Sequence, residues 1–104
     1  MTERKRLPNR RLAETCELEC AGLKYVCTIG RFADGSIGEV FLTNHRVNSG
    51  AGIMASDQAV LASLALQYGV PLETLRKAIM RDGAGRATSP IGVALDRIAG
   101  GQSS

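Results

Sequence analysis

The spacing of apolar residues changes period once along this chain, and that change constrains the fold more than any other feature. From residue 12 to residue 43 the apolar positions alternate, whereas from Ile53 onward they recur every three or four residues. Leu12, Cys16, Leu18 and Cys20 share one parity, and Ala13, Thr15, Glu17 and Glu19 take the other, the pattern of a half-buried strand. Ala21-Gly22-Leu23 reads as a turn. Residues 24–32 read as a second strand, with Tyr25, Cys27 and Ile29 on one face. Asp34-Gly35 is a dipeptide that two-residue hairpins prefer, and residues 37–43 follow as a third strand. The first half is therefore expected to be an antiparallel meander.

In the second half, Val60, Leu61, Leu64 and Tyr68 predict a helix whose Leu61 and Leu64, together with Ile79, face the core. Gly69, Val70 and Pro71 supply a helix stop. Pro71 also opens a second helix striped by Leu72, Leu75 and Ile79, with Lys77 and Arg81 near the negative end of its dipole. After a loop at 82–87, Ser89-Pro90 reads as the cap and first turn of a short third helix using Ile91, Leu95 and Ile98. The expected class is α+β, a three-stranded antiparallel meander followed by two to three helices packed on one face. The 104 residues suit one domain, placed at 12–99, with a flexible tail at 100–104.

Charge is unevenly distributed. Residues 1–11 carry Arg4, Lys5, Arg6, Arg10 and Arg11 against Glu3, a net +4, while the other residues carry eight basic against nine acidic side chains, a net −1. A flexible basic arm on a near-neutral body is expected, and only the arm can supply general attraction to phosphate. No apolar run approaches the ~18 residues of a membrane span, and the N-terminal residues lack the apolar stretch of a secretory signal. The reading is a soluble cytoplasmic protein without a membrane partner. Cys16, Cys20 and Cys27 are odd in number, which suits reduced thiols. A zinc site built from them and His45 fails on spacing, because Cys16 and Cys20 on one strand lie ~13 Å apart and Zn–S bonds are only ~2.3 Å long.

Two candidate sites follow. Residues 43–52 form the most polar stretch and run from a strand into a helix, so His45, Arg46, Ser49 and Gly50 are candidates for holding an anion. The bland alternative is an ordinary connection capped by Ser49 or Ser56. His45 is the only histidine, and no nucleophile stands at a recognisable spacing, so no catalytic residue is assigned. Residues 62–79 also pass for a helix-turn-helix with Gly69 in the turn. In that reading Glu73, Thr74, Arg76 and Lys77 would face DNA, and Arg4, Lys5, Arg6, Arg10 and Arg11 would grip phosphates.

The ordered strings Tyr25-Val26-Cys27-Thr28-Ile29-Gly30-Arg31-Phe32, Asp34-Gly35, Gly38-Glu39-Val40-Phe41-Leu42 and Gln67-Tyr68-Gly69-Val70-Pro71-Leu72-Glu73 resemble the TSCPD domain. That family is the region near the C-terminus of adenosylcobalamin-dependent ribonucleotide reductases and also occurs as short stand-alone bacterial proteins. The resemblance covers residues 12–99. The five letters that name the family are absent from this sequence, and the reductase barrel with its radical cysteine and cobalamin does not fit in 104 residues. The resemblance thus implies a fold and a link to ribonucleotide reduction. It implies a non-catalytic binding module whose partner is a nucleotide, a nucleic acid or a larger reductase-type polypeptide, with adenosylcobalamin left to the larger relatives; a homo-oligomer is left open. A small DNA-binding regulator is the alternative.

Overall fold

A computed structural model describes residues 3–9, 13–46 and 49–102, with Gly101 and Gln102 described as backbone only. The elements are β1 (Ala13–Cys20), β2 (Leu23–Arg31), β3 (Ile37–Asn44), α1 (Gly50–Gln67), α2 (Leu72–Ala78) and α3 (Pro90–Gln102). The strands form one antiparallel sheet in the order β1-β2-β3. The helices cover one face: α1 lies against β3, α3 against β1, and α2 against α3. The α+β class expected from the change of period is the class observed.

The alternation in β1 and β2 is expressed as burial. Leu18 and Cys20 on β1, and Tyr25, Cys27 and Ile29 on β2, point into the core, where they meet Val40 and Leu42 of β3. From α3 come Ile91, Ala94, Leu95 and Ile98, and Ser89 caps that helix by accepting a 3.2 Å hydrogen bond from the Gly92 N–H. Leu72, Leu75 and Ile79 are partly buried against the same core.

Four expectations are corrected. The two-residue hairpin is Ala21-Gly22, with φ of 52° and 79°, both in the left-handed region that a mirror-image turn requires. Asp34-Gly35 instead sits in a longer loop, in which the Phe32 N–H reaches the Ser36 carbonyl at 2.8 Å and Asp34 accepts from the Ser36 N–H at 2.9 Å. Only Gly35 there has positive φ, because the loop closes around the Asp34 side chain.

The second correction concerns the phase of α1. Its buried face is Ala55, Ala59, Ala62, Ser63, Leu66 and Gln67, while Leu61 is 67% exposed and Leu64 only half-buried. The reason is hydrogen bonding at β3. Ser63 Oγ donates to the Val40 carbonyl at 3.0 Å and accepts from the Val40 N–H at 2.8 Å. Gln67 Nε2 donates to the Gly38 carbonyl at 2.9 Å. These are backbone groups that β2 does not take, and satisfying them rotates Ser63 and Gln67 inward and the bulky residues outward.

Third, the arm is tied down where it is described. The Lys5 N–H donates to the Gln67 carbonyl at 2.7 Å, and Arg4 Nε donates to Gln67 Oε1 at 2.6 Å. Lys5 Nζ stands 4.2 Å from the centre of the Phe32 ring, and Leu7 and Phe32 crowd Gly38 so closely that an added Cβ would lie within 2.9 Å of both. A flexible arm over residues 1–11 is thus replaced, for Arg4, Lys5 and Leu7, by a packed segment; Arg10 and Arg11 lie outside the described residues. Fourth, α3 continues through Gly100 to Gln102, so the tail expected from residue 100 is helical at its start.

Ser63→Ala leaves the Val40 N–H and carbonyl without a partner in a place where Val40 is 0% exposed. The expected cost is about 1–3 kcal/mol, measured by urea denaturation with an unchanged m-value.

Candidate functional site

The end of β3 and the first turns of α1 enclose a cleft of about 430 Å³ lined by Leu42, Thr43, Asn44, Arg46, Gly52, Ile53, Ser56 and Asp57. Its shape follows from local sequence. Asn44 Oδ1 accepts from the Arg46 N–H at 2.8 Å and turns the chain out of the strand. Ser49 then starts α1 by accepting a 3.1 Å hydrogen bond from the Gly52 N–H. Leu42 and Ile53 give the cleft apolar walls, Arg46 supplies positive charge, and Ser56 and Asp57 supply acceptors one turn along the helix.

Of the anion candidates, Arg46 lines the cleft. Ser49 is the cap of α1, and its hydroxyl is occupied by that task. His45 and Gly50 are exposed and stand outside the lining residues. Gly50 and Gly52 belong to the first turn of α1, so the polar loop is shorter than residues 43–52. Thr43, Asn44, Ser56 and Asp57 were not distinguished by sequence as a group. The signal that marks them is helical: Ile53, Ser56 and Asp57 stand three and four residues apart and so share a flank of α1.

The residues of the DNA-reading alternative have other partners. Arg76 is bound on two sides, Nε to Asp96 Oδ1 at 2.9 Å and Nη1 to Glu73 Oε1 at 2.6 Å. Lys77 is exposed, but α2 has only seven residues and packs on α3. Arg4 is taken by Gln67, Lys5 by Asp34 at 3.5 Å, and Arg6 is exposed.

Asp96 is the electrostatic centre of the second half of the chain, and sequence inspection gives no hint of it. Arg81 grips it with two parallel bonds of 2.7 Å each while Arg76 adds a third, which joins α2 and the following loop to α3. The hydrogen bonds from Arg81, then those from Arg76, hold the Asp96 carboxyl down at about 2, against an opposing effect of desolvation.

Cys20 and Cys27 are core residues, and Cys16 packs partly buried against the core. Cys16 and Cys27 are partners in the β1–β2 register, Cys20 Sγ donates to the Thr88 carbonyl at 3.6 Å, and all three are free thiols. Burial pushes the Cys27 thiol up to about 12, helped by the neighbouring Cys16, and burial raises Cys20 as well. Such thiols are poor nucleophiles at neutral pH. Among the described residues no group of three or more His, Cys, Asp or Glu is placed to hold a metal ion, and no helix is long and apolar enough to cross a membrane.

The chain is similar to segments of proteins named vitamin B12-dependent ribonucleotide reductase. The match is 44% identical over 71 residues in Agrobacterium fabrum, covering 68% of this chain and 6% of that protein. It is 36% over 73 residues in Bradyrhizobium diazoefficiens, covering 70% and 6%, and 38% over 71 residues in Streptantibioticus cattleyicolor, covering 68% and 12%. This chain therefore spans only a small part of the length of the relatives it matches. No protein-family model matches it. No solved structure matches it either.

The cleft at Arg46 holds about 430 Å³, and a second, lined by Cys20, Arg86, Thr88 and Asp96, about 660 Å³. Both are surface depressions of the size that takes a small ligand.

The Asp96 contribution to stability has a definite sign. Its folded pKa is depressed, so the stabilisation is fully present above the unfolded carboxyl's pKa and is lost as pH falls through about 2. Asp96→Asn is expected to cost about 1–2 kcal/mol at pH 7, discounted for partial exposure, and the gap to wild type should close between about pH 4 and pH 2 in denaturation curves.

Proposed function

We propose that this chain is a non-catalytic module of the TSCPD-like kind that serves ribonucleotide reduction by binding a nucleotide. The observation that carries the reading is the cleft beside Arg46. It combines a cationic side chain, apolar walls from Leu42 and Ile53, and the Ser56 and Asp57 oxygens within a volume suited to a small molecule. Arg46 would meet phosphate oxygens, Asp57 and Ser56 the ribose hydroxyls, and Leu42 and Ile53 the base. The kinship with proteins named for acting on ribonucleotides supports the choice of ligand class. DNA reading is less well supported, because it would require Arg76 to leave Asp96 and Glu73.

Calorimetric titration with ribonucleoside diphosphates is the test. Arg46→Ala should weaken binding about tenfold, the loss of one charge-assisted hydrogen bond in a partly wet site, with far-UV circular dichroism unchanged. Equal binding by wild type and variant, or none by either, would remove the site.

Catalysis by the isolated chain is not expected. Cys27 and Cys20 are buried and their thiols are raised, so neither offers an accessible thiolate to a bound sugar. Incubation with a ribonucleotide, adenosylcobalamin and a dithiol should give no deoxyribonucleotide; product formation abolished by Cys27→Ala would refute the non-catalytic assignment.

A further inference from the structure

Helix α1 is apolar on both sides. Its inner face is small and seals the sheet, yet the outward side carries Met54 (63% exposed), Leu61 (67%), Ile53, Val60 and Tyr68, with Leu64 half-buried between them. Across all 18 residues of α1 the single charged side chain is Asp57. A helix apolar all round is ordinarily buried all round. Nothing among the described residues covers this stripe, and it shares Ile53 and Asp57 with the border of the Arg46 cleft.

We propose that the outer stripe of α1 is the interface of a two-fold dimer in which the α1 helices of two copies pack antiparallel and cross at Leu61. Three observations select a second copy as the occupant. The first is the near-palindromic spacing. Met54 lies seven residues before Leu61 and Tyr68 seven after. An isologous interface needs that kind of self-complementarity: Met54 of one copy faces Tyr68 of the other, and Leu61 faces Leu61. The second is charge. The stripe contains no basic residue and only Asp57, so two copies meet without a cluster of like charges at the crossing point, and antiparallel packing aligns the two helix dipoles favourably. The third is area. Five large side chains between 41% and 67% exposed present several hundred Å² per copy. With the flanking polar residues this approaches the ~800 Å² per partner of a stable interface, and it exceeds what single exposed apolar residues contribute.

Sedimentation equilibrium of the full chain over a wide concentration range tests the proposal. Wild type should pass from 11.0 kDa to twice that mass as concentration rises. Leu61→Glu should raise the dimer dissociation constant about 30-fold or more, the loss of a central anchor residue. Phe41→Glu, on the open face of the sheet where Phe41 is 47% exposed, should leave it unchanged. Met54→Glu serves as the second probe if Leu61→Glu alters the circular dichroism spectrum. A chain that stays monomeric throughout, a dimer indifferent to both α1 substitutions, or a dimer lost with Phe41→Glu would each overturn the proposal.

Discussion

The interaction on which the rest of this structure depends is the pair of hydrogen-bonding side chains that α1 lays along β3. A three-stranded sheet has two edges, and an edge strand offers unpaired N–H and carbonyl groups to any passing chain. Ser63 and Gln67 occupy those groups at Val40 and Gly38. Gln67 then extends the arrangement outward, because its own carbonyl and side-chain oxygen receive Lys5 and Arg4. One glutamine thus joins β3, α1 and the N-terminal segment, and it is 4% exposed while doing so.

That attachment sets what can face the sheet. With Ser63 and Gln67 turned inward, helical geometry places Ala55, Ala59 and Ala62 between α1 and the strands. Small residues there permit a close approach, and the volume of the core is made up by Tyr25, Ile29 and Leu42 from the sheet and by Leu95 and Ile98 from α3. The larger residues of α1 are left outside as a consequence, and the β3–α1 junction opens the cleft beside Arg46 on one flank of the same helix.

Much of the fold was legible in the sequence, and the reasons are specific. Strict alternation from Cys16 to Cys20 and from Tyr25 to Ile29 has only one structural meaning, and the structure buries those residues as the parity requires. Ser89-Pro90 marked the start of α3 because a cap and a first-turn proline are local devices. The phase of α1 was not legible. Hydrophobicity weights Leu61 above Ala62, whereas the actual orientation is decided by backbone groups of a strand 23 residues earlier, at Val40. From sequence Arg4 and Lys5 belong to a flexible basic arm for the same reason: their partners Gln67 and Phe32 are remote in sequence. The Arg46 cleft was legible in half, since a polar strand-to-helix connection is visible locally but the flank formed by Ile53, Ser56 and Asp57 appears only once the helix phase is known.

The thiols follow the packing of the sheet. A cysteine that carries electrons needs an accessible, stabilised thiolate, hence nearby positive charge and contact with solvent. Here Cys27 is 1% exposed and its thiol is pushed up to about 12, and although Arg97 acts to lower it, burial and Cys16 prevail. Cys16, Cys20 and Cys27 instead follow strand parity and fill space between sheet and helices as small apolar side chains do. The surfaces left open by that packing include two on α1, the Arg46 cleft on one flank and the apolar stripe on its outer side.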